Sequence, residues 1–213
     1  IVRPVDKYTS GGKDIYIVTN NTELNKVKQL LTPKYKNIIA SSYINNPLLL
    51  NNKKTHIRMY WLVAIGKDIK YTTSLWSTGK ILTAKESYKN SDYANKDIHD
   101  THAKSTKDDY IFPDDLPKDA FANKDIIFNQ MELILGAVKL ILYDHTETWP
   151  ESKNGFLVYG VDFMIDSNYK VYLIEINDRV GLGSVHSSYT EKYNKFSKNY
   201  FEWIYETVIN TII

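Results

Sequence analysis

The feature that most constrains this chain lies near its end, where Phe156 to Asn177 reads FLVYGVDFMIDSNYKVYLIEIN. Two apolar, β-rich runs flank a polar turn at Asp166, Ser167 and Asn168, which is the pattern of a β-hairpin. The first run carries Asp162, and the second ends in Glu175 and Asn177. Residues two apart on a strand share a face, so Glu175 and Asn177 point one way while Ile174 and Ile176 point the other. Pairing about the turn brings Asp162 close to the Glu175 end. Three oxygen donors then converge, two of them anionic, and hard oxygen ligands of this kind suit magnesium on nucleotide phosphates. The same pattern also fits a plain surface hairpin with an acidic edge.

Periodicity organises the rest. A strand, a glycine-rich loop and a second strand (Ser10 to Val18) lead to a helix starting near Thr22, with Asn21 or Thr22 as N-cap. It carries Leu24, Val27, Leu30 and Leu31 at helical spacing and ends at Pro33. Short strands are expected over Asn37–Tyr43 and Gly79–Ala84. A second hairpin, His56–Ile65 with Ile69–Trp76, turns at Gly66-Lys67-Asp68. Glu86 to Pro117, dense in Ser, Asn, Asp, Lys and Tyr, reads as mostly irregular. A long helix is expected over Asp119–Tyr143, with an apolar stripe of Ile126, Ile127, Met131, Ile134, Leu135, Val138 and Leu142 that Glu132 and Lys139 interrupt. A terminal helix follows at about Tyr189–Ile213, with Tyr193, Phe196, Tyr200, Trp203 and Ile204 turned to a sheet. Hairpins with flanking helices make an α+β fold with mixed or antiparallel sheets.

Composition excludes some chemistry. There is no cysteine, hence no disulfide and no thiolate zinc site. The net charge of +2 is too small to imply a nucleic-acid partner. Tyrosines and lysines do interleave from Tyr88 to Tyr110, but Asp92, Asp97, Asp100, Asp108 and Asp109 cancel the charge. No run reaches the roughly 20 apolar residues of a membrane helix, and no secretory leader opens the sequence as given.

Several pieces, in order, resemble the tubulin–tyrosine ligase-like family of ATP-grasp ligases. Asp162-Phe163 and Leu173–Asn177 (LIEIN) resemble that family's closing DF and LIEVN-type elements at the same separation. IVRPV (Ile1–Val5) resembles a family strand that usually carries Lys where this chain has Arg3. SGGKDIYIV resembles the phosphate loop and its strand. Ser41–Val63 resembles a segment with a hinge, a PLL element and a K-x-D-x-R pattern, here Lys54, His56 and Arg58. HDTH (His99–His102) resembles the family's HLTN.

The resemblance covers nearly the whole chain. It implies the C-terminal catalytic portion (1–213) of an ATP-grasp domain, with a small phosphate-loop lobe (1–46), a metal and catalytic lobe (47–213) and a nucleotide cleft between lobes. Asp162, Glu175 and Asn177 would hold Mg2+. Arg3, Gly11, Gly12, Lys13, Lys54, Lys80, His99 and Thr101 would contact ATP, with Tyr43 and Ile44 at the adenine. Arg58 would be the catalytic cation, orienting phosphate or an acceptor carboxylate. Departures stand at Ser41 for the hinge Gln, at His56 for the acid and at His102 for the Asn. Leu82 stands where the family has an Arg, with Lys80 two residues away as its substitute. Two cations beside His56 favour a neutral imidazole. The implied activity is an ATP- and magnesium-dependent ligase joining a free amino acid to a protein acceptor, tubulin or another, in the cytoplasm, with no nucleic acid and no membrane. The alternative is a degenerate relative kept for binding or assembly.

Overall fold

The computed structural model describes residues 1–5, 14–65, 71–101, 110–144, 155–178, 180 and 191–212. The expected phosphate loop with Gly11, Gly12 and Lys13, the turn at 66–68, His102, Arg179 and 181–183 lie outside them, as do the side chains of Leu142 and Tyr193. The chain forms two compact units, 1–55 with 82–107, and 56–81 with 108–213. The first 46 residues, expected as a phosphate-loop lobe, fall in the first unit.

In the first unit, β1 (Val2–Pro4) pairs antiparallel with β2 (Ile38–Ala40) and is bridged on its other side by Tyr16. Helix α1 (Asn21–Leu31) starts one residue earlier than the sequence suggests. Its cap is Asn20, whose side chain accepts the Glu23 N–H, while Glu23 reaches back to the Thr19 N–H at 2.7 Å. Two otherwise unmet donors are satisfied there. Leu31 closes the helix against the unit's interior with no exposed surface, whereas Leu30 is 45% exposed. β3 (Leu49–Leu50) pairs with the start of β4 (Lys53–Ile65), and a short helix α2 (Lys96–His99) breaks the stretch read as irregular.

The second unit is built on a sheet. β5 (Tyr71–Leu75), β6 (Gly79–Thr83) and β7 (Tyr110–Phe112) lie to one side of β4, and β8 (Gly155–Ile165) and β9 (Val171–Asn177) to the other, in the order β7-β6-β4-β8-β9 with β5 also on β4. The β4–β5, β4–β8, β6–β7 and β8–β9 pairs are antiparallel, so the α+β reading holds. The helix expected from Asp119 is two helices, α3 (Lys118–Ala122) and α4 (Lys124–Asp144), separated at Asn123. α5 (Glu191–Ile212) lays Phe196 and Tyr200 against Tyr60, Trp76 and Ile111 in an aromatic cluster. α4 packs against β9 with Ile127, Met131 and Leu135 buried. Ile126, expected in that buried stripe, is 57% exposed, because one step along a helix of 3.6 residues per turn carries it about 100° around the axis from buried Ile127.

The hairpin forms where expected, and Asp166 holds its turn. Its carboxylate accepts the N–H groups of Asn168 (2.8 Å) and Lys170 (3.0 Å) and the Tyr172 hydroxyl (3.1 Å). Gln130 of α4 then docks the turn. Its amide donates to the Tyr169 carbonyl at 2.8 Å and accepts the Val171 N–H at 3.1 Å, as a neighbouring strand would. Gln130→Leu leaves both backbone groups unmet. We expect a loss of about 1–3 kcal/mol of unfolding free energy, read by denaturant titration, and an unchanged midpoint would refute the clamp.

Candidate functional site

The register of the central strands assembles the site in the second unit. Arg58 on β4 pairs with Asp162 on β8, and Asp162 pairs with Glu175 on β9. Directly paired residues project from the same face of a sheet, so these three form one transverse row. Asn177 lies one row further, opposite Gly160. A bulge between Asp162 and Phe163 leaves Ile174 without a direct partner, because Asp162 pairs with Glu175 and Phe163 with Leu173. The bulge absorbs the extra residue and keeps Glu175 level with Asp162. Ile174 is 37% exposed as a result.

Asp162 is 1% exposed, and its carboxylate receives both edges of a fork from Arg58. Nε donates to Oδ1 and Nη2 to Oδ2, each at 2.6 Å. Burial works against the charge on Arg58, and the Asp162 hydrogen bonds and charge outweigh it, so the guanidinium pKa is raised. Gly160 makes the geometry possible. A Cβ there would stand 3.3 Å from Arg58 Cδ and 3.6 Å from Nε, so the arginine lies across bare backbone on its way to Asp162. His56 sits two residues before Arg58 with Nε2 3.7 Å from Asp162 Oδ1, both side chains almost fully buried. Along the sequence only cations flank His56, and the fold adds this carboxylate, brought from over a hundred positions away.

The expected metal donors do converge. The Asn177 amide reaches Glu175 Oε1 at 3.0 Å and Asp162 Oδ2 at 3.4 Å, so a single side chain touches both carboxylates. Among the described residues no three of His, Cys, Asp and Glu gather as a metal site. The set here is two carboxylates and an amide. Oxygen-only donors of this kind would suit a hard divalent cation.

The first unit carries a different cluster. Lys54 is 5% exposed, and its ammonium donates to the Tyr43 hydroxyl (3.0 Å) and the His99 carbonyl (3.1 Å) while lying 4.5 Å above the Tyr43 ring. His99 Nε2 lies 3.2 Å from the Ser91 carbonyl, which only accepts, so Nε2 carries the proton and Nδ1 accepts from Tyr43 at 2.8 Å. Tyr93 stacks on the His99 ring at 5.3 Å, and Tyr88 meets it edge-on. Burial pushes the Lys54 amine down to about 8, against a smaller opposing pull from Asp100. Burial also lowers His99 and raises the Tyr43 phenol.

The remaining sequence candidates are dispersed. Arg3 is on β1, opposite Ile39. Ile44 follows Tyr43, half-buried, and Thr101 is buried. Lys80 lies on β6 in the second unit, with its ammonium 5.3 Å from the Phe196 ring. Reading motifs missed Gly160, Tyr88 and Tyr93. A lone strand glycine in YGVDF signals close approach of another group, whereas no local pattern gathers Tyr88 and Tyr93 around His99. No helix among the described residues is long and apolar enough to cross a membrane.

The sequence model of the tubulin-tyrosine ligase family matches residues 1–211. The chain is similar to a probable tubulin–tyrosine ligase of Schizosaccharomyces pombe, 29% identical across 77% of this chain and 39% of the relative. It is similar to tubulin glycylase 3B of Tetrahymena thermophila, 29% identical across 80% of this chain and 16% of the relative. A tubulin polyglutamylase of Homo sapiens is 25% identical across 83% of this chain and 15% of its own length. The chain therefore spans well under half the length of each of these relatives.

The Lys54 environment has a measurable consequence. Its folded pKa is lowered to about 8 from 10.5. Between those values the unfolded chain binds the extra proton, so stability rises with pH through that window. Below pH 8 both states are charged and burial of the ammonium opposes folding. The shift corresponds to about 3 kcal/mol. Relative to Lys54→Met, the parent should gain stability from pH 8 to 10.5 in denaturant titrations. A constant difference would show that Lys54 titrates normally.

Proposed function

Because the chain belongs to the tubulin-tyrosine ligase family, we propose that it is the C-terminal catalytic portion of an ATP- and magnesium-dependent ligase of ATP-grasp architecture. It joins an amino acid to a protein acceptor through an amide or isopeptide bond. The observation that supports this best is the row Arg58–Asp162–Glu175 with Asn177 beside it, on the positions where the resemblance puts phosphate and metal contacts. The relatives' names point to a protein acceptor, with tubulin the first to test.

In such a reaction a carboxylate oxygen takes the γ-phosphoryl group and releases ADP. The amine nitrogen then attacks the acyl carbon, the bond from that carbon to the phosphate oxygen breaks, and the amine proton leaves to phosphate or solvent. Catalysis is positioning and charge stabilisation. Magnesium, when bound by Asp162, Glu175 and Asn177, supplies neutralisation of the nucleotide's phosphates. Arg58 has one edge fixed by Asp162 and presents Nη1 to a phosphate or the acceptor carboxylate. Lys54 supplies a cation for phosphate, aided by Arg3, Lys13 and Lys80. The Gly11-Gly12 backbone, His99 and Thr101 contact the nucleotide, and Tyr43 and Ile44 meet adenine.

A second reading has its own support. Both Asp162 oxygens are already held by Arg58, and His56 stands where the family has an acid. An ion pair that neutralises the carboxylate without metal suits a degenerate relative kept for binding.

Calorimetry of ATP binding with and without Mg2+ separates the two. The ligase reading expects magnesium-dependent affinity in the parent and its loss in Glu175→Gln, with folding intact because Glu175 is only half-buried. Equal magnesium-supported affinity in parent and variant would sink the metal assignment, and no magnesium dependence in the parent would favour the degenerate reading. Arg58→Ala is a poor probe, because it strands a buried carboxylate at a cost of roughly 3–5 kcal/mol. Arg58→Lys keeps the charge and removes the fork, and turnover should fall about a hundredfold with a smaller change in nucleotide affinity. Full turnover in Arg58→Lys would remove Arg58 from the machinery.

A further inference from the structure

The row that carries Arg58, Asp162 and Glu175 extends by one more charge. Lys80 on β6 pairs with Ile111 on β7. Ile111 packs with Tyr60, Trp76 and Phe196, and Tyr60 stands two residues after Arg58, on the same face of β4. Lys80 therefore projects to the face that holds Arg58, Asp162 and Glu175. Gly79 fixes its position along that face. β6 lies beside β4, and a Cβ at 79 would overlap Met59 Sδ and stand 2.7 Å from the Arg58 carbonyl oxygen. A glycine pressed against residues 58 and 59 brings Lys80 level with Arg58. The row then reads Lys80, Arg58, Asp162, Glu175, with two cations at one end and two carboxylates at the other, all within the second unit.

Like charges on neighbouring strands repel, and the fold holds these two in different ways. Arg58 is forked onto Asp162. The Lys80 ammonium lies 5.3 Å from the centre of the Phe196 ring, within the range at which an aromatic face attracts a cation. Phe196 is buried, with its ring 4.8 Å from Trp76 and 6.0 Å from Tyr60, so it is a fixed seat. A ring has no net charge, and the ammonium over it keeps its own. Lys80 is half-buried, and the Arg58 side chain keeps 17% of its surface, so a small anion can reach both. We propose that Lys80 and Arg58 form an oxyanion site, and that Phe196 of α5 is the positioning residue that sets Lys80 in it. The ligand is a phosphoryl or carboxylate group that offers one oxygen to Arg58 Nη1 and another to the Lys80 ammonium. The ligase reading above enters only in naming the source of that group, which is the nucleotide's terminal phosphate or the carboxylate that receives it. The C-terminal helix thus serves the site as well as the aromatic core.

Magnetic-resonance titration of the whole chain, isotope-labelled at lysine and glycine and free of nucleotide and magnesium, tests it. A failure of the ligase reading shows in the ATP calorimetry and leaves this outcome untouched. The probes are inorganic phosphate and glutarate. In the parent the Lys80 ε-methylene protons, identified by their loss in Lys80→Arg, should resonate upfield of the other lysines, because they lie over a ring face. Phe196→Leu should return them to the ordinary position. Affinity is followed on the Gly160 amide, which lies against Arg58. Saturable binding of phosphate identifies the nucleotide's group, and saturable binding of glutarate identifies the carboxylate. Lys80→Gln should weaken that binding about tenfold and Phe196→Leu about threefold, while Lys80→Arg keeps it within about threefold of the parent. Saturation by neither probe, or a Lys80→Gln variant that binds as the parent does, would overturn the site. A Lys80 signal at the ordinary lysine position in the parent would overturn the role of Phe196, whether or not Phe196→Leu folds.

Discussion

A buried carboxylate imposes more on this molecule than any other single group. Asp162 has almost no exposed surface, and an ionised carboxyl out of water must be matched by charge and hydrogen bonds or it destabilises the fold by several kcal/mol. Arg58 meets that need with a two-pronged contact, and the contact in turn dictates its surroundings. The β4–β8 register must set residue 58 opposite 162, since a slip of one residue would turn the arginine to the other face. A side chain at position 160 would press on the arginine, which passes 3.3 Å from where its Cβ would stand. The β9 strand must bulge at Ile174 so that Glu175 falls level with Asp162. A structural ion pair and a candidate cation site thus share one residue.

The first unit meets the same problem with an opposite charge and a different answer. Among the described residues no carboxylate is hydrogen-bonded to the Lys54 ammonium. It leans on a phenol oxygen, a backbone carbonyl and an aromatic face. These are weaker compensations than a carboxylate, which is why burial dominates and the amine falls to about 8. A lysine in that state gains charge stabilisation from any anion placed beside it, as a nucleotide-binding role requires. The His99 imidazole, with its proton on Nε2 and its other nitrogen committed to Tyr43, holds the phenol in place for this contact.

His56 is the departure from the family pattern that the fold makes most intelligible. An acid at that position would add a carboxylate beside Asp162, tolerable where a cation is bound and repulsive where none is. An imidazole 3.7 Å from Asp162 adds no such repulsion. The substitution leaves Arg58 as the hydrogen-bonded charge partner of Asp162.

Much of this was readable along the chain because it is local. The hairpin from Gly155 to Asn177, the approach of Glu175 and Asn177 to Asp162, the α1 capping region and the two long C-terminal helices follow from turn chemistry and periodicity within a few residues. The break at Asn123 within the helical stretch is also local, but it was not legible, since the apolar spacing continues through it. What the tertiary structure alone decided is non-local. The Arg58–Asp162 pair joins residues 104 apart, and no pattern within either strand announces it. The close approach at Gly160 exists only once that arginine crosses it. The spacing of α4 contains two overlapping apolar stripes, and the sequence cannot choose between them. Packing against β9 buries Ile127, Met131 and Leu135 and leaves Ile126, Leu133 and Leu140 outside. Local energetics select the elements, and only their register against one another settles which charges meet and which faces stay open.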